Sequence, residues 1–126
     1  MKGVYGRRAR ISLLLLLGAA NAVADTRCDK IEKVDALNTC LANELAMTDK
    51  VLNSVYAELR RKLEPERQEL LKKAEMAWIG MRDQDCEFEA SAALGGTAYQ
   101  SLYLSCQIEV TKNRVRLLRD WRKTST

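Results

Sequence analysis

The sequence predicts an all-α fold, a small disulfide-stapled antiparallel three-helix bundle, and three observations carry that expectation. Apolar residues recur at alternating steps of four and three in three successive runs. Between residues 25 and 126 there is one proline, Pro65, and only three glycines, too few turn residues for a sandwich of short strands. That stretch also holds four cysteines, Cys28, Cys40, Cys86 and Cys106, an even count in a small chain.

The first 24 residues read as a cleaved secretory signal peptide. Lys2, Arg7, Arg8 and Arg10 form a positive start, Ile11 to Leu17 a short apolar core, and Ala22-Val23-Ala24 a small-residue cleavage site. The apolar stretch falls well short of the ~20 residues that span a bilayer. The mature chain is therefore expected to be one helical domain, residues 25–126, in the periplasm or secreted, with no transmembrane segment after cleavage.

The first helix is marked by Leu41, Leu45, Thr48, Leu52, Val55 and Leu59, with Asp35 or Asn38 as its cap. Glu64-Pro65-Glu66 breaks the chain and places proline in the first turn of a second helix. Leu71, Ala74, Trp78, Met81 and Phe88 are its expected buried stripe, interrupted by Asp85. Gly95-Gly96 ends that region, and Thr97 with Gln100 forms a capping box for a third helix. Its stripe is read as Tyr103, Cys106, Val110, Asn113, Leu117 and Trp121.

In an oxidising compartment the four cysteines read as two disulfides rather than a metal site, since no C-x-x-C pair exists. A hairpin about Gly96 sets Cys86 level with Cys106, and a turn near Leu63 or Pro65 sets Cys40 level with Cys86. Symmetry thus leaves the pairing open. In one continuous helix Cys28 and Cys40 would stand ~18 Å apart, so joining them requires a bend, expected near Asp35–Thr39. Cys28–Cys40 with Cys86–Cys106 is the preferred set, and Cys40–Cys86 is its rival.

Charge and composition exclude several functions. The chain carries 21 Lys+Arg against 17 Asp+Glu, a formal +4, and no histidine. Without His there is no Ser-His-Asp or Cys-His nucleophile and no His-bearing zinc site. Four of the basic residues lie in the leader and none of the acidic ones do, so the mature chain is formally neutral. Nucleic-acid binding loses its electrostatic support, and no phosphate loop or RNA motif replaces it. No cofactor or metal is expected.

The stretch Ala74-Glu75-Met76-Ala77-Trp78-Ile79-Gly80-Met81-Arg82-Asp83-Gln84-Asp85-Cys86 is the most recognisable. With Leu52-Asn53-x-x-Tyr56-x-x-Leu59 before it and Cys106, Thr111 and Arg114 after it, it resembles the LprI-like lysozyme-inhibitor domain family over roughly Cys28 to Leu118. It departs at Gly80-Met81, where such proteins usually carry an aromatic before the Arg-Asp pair. The resemblance implies a small, exported, disulfide-bonded helical domain whose partner is a lysozyme-type enzyme. It makes Tyr56, Trp78, Arg82, Asp83, Thr111 and Arg114 family-motif positions open to interaction, and Trp78, Arg82 and Asp83 are expected to hold the fold as much as bind.

Three constellations bear on chemistry. Trp78, Arg82 and Cys86 are four apart on one helix face. They read either as a partner-binding patch or as a core tryptophan beside an arginine paired with Asp85 or a carboxylate of a neighbouring helix, and the second reading is favoured. Asp83, Asp85, Glu87 and Glu89 lack the glycine of a calcium loop and continue a helix; as an acidic patch they could face a basic lysozyme. Lys112, Arg114, Arg116, Arg119, Arg122 and Lys123, against Asp120 alone, make a basic helix end for anionic lipid or wall polymer, or one that complements the helix dipole. Nothing marks a nucleophile or substrate cleft. The expected function is a non-catalytic binding protein of the envelope that occludes a lysozyme cleft. The alternative is an envelope scaffold held by the basic helix, and a carboxylate-based hydrolase comes third.

Overall fold

The computed structural model describes residues 28–125, so the expected leader and cleavage site lie outside the described residues. A 3-10 turn, Cys28–Lys30, precedes α1 (Val34–Arg61), α2 (Pro65–Ala90), a second 3-10 turn, Ser91–Ala93, and α3 (Tyr99–Thr124). Among the described residues there is no strand. None of their helices is long and apolar enough to cross a membrane.

Helix α2 runs antiparallel to α1 and α3, which are therefore parallel to one another. Side-chain pairs set the register: Lys112 meets Glu44 and Arg122 meets Glu58 between α1 and α3, while Arg114 meets Glu75 and Cys106 meets Cys86 between α3 and α2. The expected bundle is what forms, with α3 as its central member. It packs along both other helices, whereas the backbones of α1 and α2 barely approach each other. Apolar side chains close that gap in the half nearer the α1–α2 turn. There Leu52, Val55, Leu59 and Leu63 meet Leu71, Trp78, Val115 and Leu118. A second cluster at the other end joins Cys28 and Leu41 to Leu104 and Ile108, without α2.

Both preferred disulfides are present, Cys28–Cys40 with Cα atoms 5.8 Å apart and Cys86–Cys106 at 5.5 Å. The bend that allows the first lies at Ile31–Lys33, ahead of α1, and not at Asp35–Thr39. Lys33 takes the cap position of α1 in extended conformation, and neither Asp35 nor Asn38 caps the helix. Asp35 instead sits in the first turn, where a carboxylate complements the helix dipole. The capping box of Thr97 and Gln100 does not form either. Reversing the chain onto α3 uses Ser91–Ala93, an extended Leu94 and Gly95 at φ +79°, so the helix begins only at Tyr99 behind Ala98. Pro65 does occupy the first turn of α2.

Two buried stripes differ from expectation. On α2 the buried residues are Leu71, Glu75, Trp78, Cys86 and Ala90, while Met81 is 53% exposed and Phe88 82%. The disulfide to Cys106 and the pairing of Glu75 with Arg114 rotate Cys86 and Glu75 toward α3 and turn Met81 and Phe88 outward. On α3 the buried set is Leu104, Cys106, Gln107, Ile108, Thr111, Arg114, Val115 and Leu118, with Asn113 exposed and Leu117 and Trp121 only partly covered. A helix with neighbours on two sides buries a wide stripe, and its polar members are tolerated because partners meet them.

Candidate functional site

Between the two apolar clusters lies a polar layer, and most of the motif residues converge on it. Helical spacing puts Glu75, Trp78 and Arg82 on the face of α2 that meets α3, opposite Gln107, Thr111 and Arg114. The Arg82 guanidinium lies 5.3 Å from the Trp78 ring centroid and that of Arg114 5.4 Å from it. Arg114 is also 5.2 Å from the Trp121 ring, so two cations and two indoles alternate through the layer.

Each cation is held by carboxylates. Arg82 Nε donates to Asp83 Oδ1 at 2.9 Å, and its Nη1 reaches Thr111 Oγ1 at 3.3 Å and Asp49 Oδ1 at 3.5 Å. Of the two expected kinds of partner, the carboxylate of a neighbouring helix is the one that forms, Asp49 on α1, joined by Asp83 on α2 itself, while Asp85 is exposed. Asp83 Oδ1 also accepts from Gln107 Nε2 at 2.9 Å, which in turn contacts Tyr103 Oη at 3.0 Å. Burial, followed by the charge of Asp83, raises the Tyr103 phenol above its ordinary value. Arg114 Nε donates to Glu75 Oε2 at 2.9 Å, and both side chains are about nine-tenths buried.

The centre of the layer is sealed, while Asp83 and Asp49 at its edge are exposed by 45% and 42%. Trp78 is 8% exposed, Thr111 fully buried and Arg114 8% exposed, which leaves no face of them for a partner. Tyr56 stands apart from the polar layer, half-buried against the apolar cluster. Glu75, Gln107 and Asp49 complete the network and were not singled out from the sequence. The available signal was position, because Glu75 shares a helical stripe with Leu71, Trp78 and Arg82.

The profile of the family described as "Lysozyme inhibitor LprI" matches residues 24–118. The chain belongs to that family. It is 32% identical over 106 residues to "Uncharacterized protein YecT" of Escherichia coli (strain K12), a match covering 72% of this chain and 65% of that protein. It is also 32% identical over 125 residues to "Uncharacterized protein R02472" of Rhizobium meliloti (strain 1021), covering 87% and 90%. The chain thus spans somewhat less than two thirds of the Escherichia coli relative and most of the Rhizobium one. No solved structure matches it.

In this LprI domain the C-terminal basic run is not a free cationic stripe. Arg114 is buried, Lys112 Nζ donates to Glu44 Oε1 at 2.8 Å, Arg122 pairs with Glu58, and Lys123 lies 3.3 Å from Asp120. Arg116 contacts Asn113 and stands 3.8 Å from Glu109. Arg119 alone in the run is exposed without a partner among the described residues.

Charge in the LprI domain is instead divided lengthwise. A plane drawn where Arg82 meets Asp49 and Thr111 separates residues 28–50 and 83–111 from residues 51–82 and 112–125. The first half, which ends in the α2–α3 turn, carries ten acidic against three basic side chains, a net −7. The second carries six acidic against thirteen basic, a net +7. No Lys or Arg occurs between Asp83 and Thr111. At the acidic end Phe88 is 82% exposed and Leu94 77%, beside Asp85, Glu87 and Glu89. The Cys86–Cys106 bond and the fully buried Ala90 hold this end on α3.

Proposed function

We propose that this protein is an exported, non-catalytic inhibitor of a lysozyme-type enzyme, and that it occludes the enzyme's cleft with the acidic end of the bundle. Family membership supplies the class of partner. The observation that selects the surface is the division of charge, −7 around the α2–α3 turn against +7 at the other end. A cationic enzyme is steered to the acidic end and repelled by the basic one, which orients the encounter before contact. Phe88 and Leu94 then supply apolar area inside an acidic collar, the composition of an anchored interface with a polar rim. Two disulfides in so small a chain accord with action in the periplasm or outside the cell, as the leader expected from the sequence would require.

Purified protein is tested against lysozymes of several classes. Inhibition at about micromolar protein is expected, weakening about tenfold or more as salt rises, because the contact is electrostatically steered. Absence of inhibition against every class would overturn the reading.

The +7 of the opposite half supports a second reading, an envelope scaffold that binds anionic lipid or wall polymer. The internal pairing of most of the α3 cations weighs against it. Salt-sensitive sedimentation with anionic vesicles, unchanged by acidic-end substitutions, would favour it over the inhibitor.

A further inference from the structure

We propose that the outward face of α2 is a self-association surface that pairs two copies of this chain antiparallel about a two-fold axis. Helix α2 has α3 as its close neighbour along its length; the side next to that contact borders a groove with Leu59 and Trp121 at its Leu70–Ala74 end, and no helix among the described residues covers it. That side is not polar. Leu70, Ala74, Ala77 and Met81 follow one another at steps of four, three and four, which stacks them on one ridge. All four are exposed, Leu70 by 60% and Met81 by 53%.

The ridge reads the same in either direction: large, small, small, large. Two copies laid antiparallel and centred between Glu75 and Met76 set Leu70 against Met81 of the second copy, and Ala74 against Ala77 of the second copy. The alanines at the crossing let the two helices approach closely, while the larger side chains interdigitate on either side.

Charge selects this occupant. Arg67 and Asp85 stand eighteen residues apart, about five turns at 3.6 residues per turn, so they project from the same flank of α2. A two-fold axis through the crossing keeps each flank on its own side and reverses direction along the helix. Arg67 of one copy therefore lies opposite Asp85 of the other, and the pair occurs twice. Neither residue has an ion-pair partner among the described residues. Phe88 falls past the end of the paired stretch, so the acidic end stays free, and the proposal stands independently of the lysozyme reading. A face of about three helical turns is at the small end of specific interfaces, so the pairing is looked for at roughly 1–100 µM protein.

Sedimentation velocity of the purified, disulfide-bonded protein over that concentration range tests the pairing. A monomer–dimer equilibrium is expected, weakened about tenfold or more by Met81→Glu, by Arg67→Asp and by Asp85→Arg. The double variant Arg67→Asp with Asp85→Arg is expected to restore it to within about threefold, since the opposed charges are exchanged but still complementary. All these side chains are exposed, and matching thermal melts confirm that the fold is intact. A monomer throughout the range, association indifferent to Met81→Glu, or a double variant no better than the singles would each overturn the proposal. So would a monomeric protein in which Met81→Glu lowers lysozyme inhibition, because the face would then belong to the enzyme.

Discussion

Glu75 on α2 and Arg114 on α3 form an ion pair sealed inside the bundle, and it is joined on only one carboxylate oxygen. Glu75 Oε2 receives Arg114 Nε at 2.9 Å, and Nη2 stands 2.8 Å from the same atom without hydrogen-bonding geometry. Glu75 Oε1 is buried with no partner among the described residues. A pair so placed costs desolvation on both sides and specifies how α2 is rotated against α3 more than it stabilises them.

Breaking the pair from either side is therefore expected to be worse than removing it. Arg114→Met leaves a charged carboxylate buried and should lower stability by about 3–5 kcal/mol. Glu75→Leu with Arg114→Met should recover most of that loss. Urea unfolding of the two singles and the double measures the cycle, and a double as unstable as the sum of the singles would refute this account.

Trp78 carries the second test. Its indole lies in the apolar cluster and under both guanidiniums, so Trp78→Ala should cost about 3–5 kcal/mol. Trp78→Phe should cost less and leave lysozyme inhibition unchanged, because Trp78 is 8% exposed. Reduced inhibition by a stably folded Trp78→Phe protein would place the residue in the interface instead.

The two disulfides are expected to act on different scales. Each closes a short loop, twelve residues for Cys28–Cys40 and twenty for Cys86–Cys106, worth about 3 kcal/mol on the chain-entropy argument. Cys86–Cys106 ties two helices of the bundle, so its paired serine variant should lower the midpoint of global unfolding. Cys28–Cys40 pins a segment that leaves the larger cluster untouched. Its serine variant should release amide protection around Cys28–Lys30 and α1's first turns before the rest of the chain.

Alkaline stability reports on the polar layer. Burial and Asp83 raise the Tyr103 phenol above its ordinary value of 10.0, so the fold favours the neutral form. A group raised on folding contributes its full stability below its unfolded value and loses it as pH climbs through the folded one. Stability should fall above about pH 10, and Tyr103→Phe should flatten that fall. A phenolate absorbance titration that shows no late-ionising tyrosine would contradict it.

Much of the architecture was legible in the sequence because it depends on local chemistry. In α1 the stripe at alternating steps of four and three faces the core: Leu41, Thr48, Leu52, Val55 and Leu59 are buried as read, and Leu45 is half-buried. The cysteine pairing was narrowed to a preferred set and one rival, and the turn ahead of α1 decided between them. The polar layer was half visible. Arg82, Thr111 and Arg114 stood out as family positions, but Glu75 and Gln107 look like ordinary surface residues until α3 covers them.

The sequence by itself determined that the chain makes three long helices and roughly where they break, since each follows from spacing along one helix or across one turn. Tertiary structure alone decided how α2 and α3 are rotated. Helix α2 carries apolar residues on two sides, so its own pattern does not say whether Met81 and Phe88 or Glu75 and Cys86 face inward. The partner settles it: Cys106 and Arg114 on α3 draw Cys86 and Glu75 inward, and the displaced apolar ridge becomes surface.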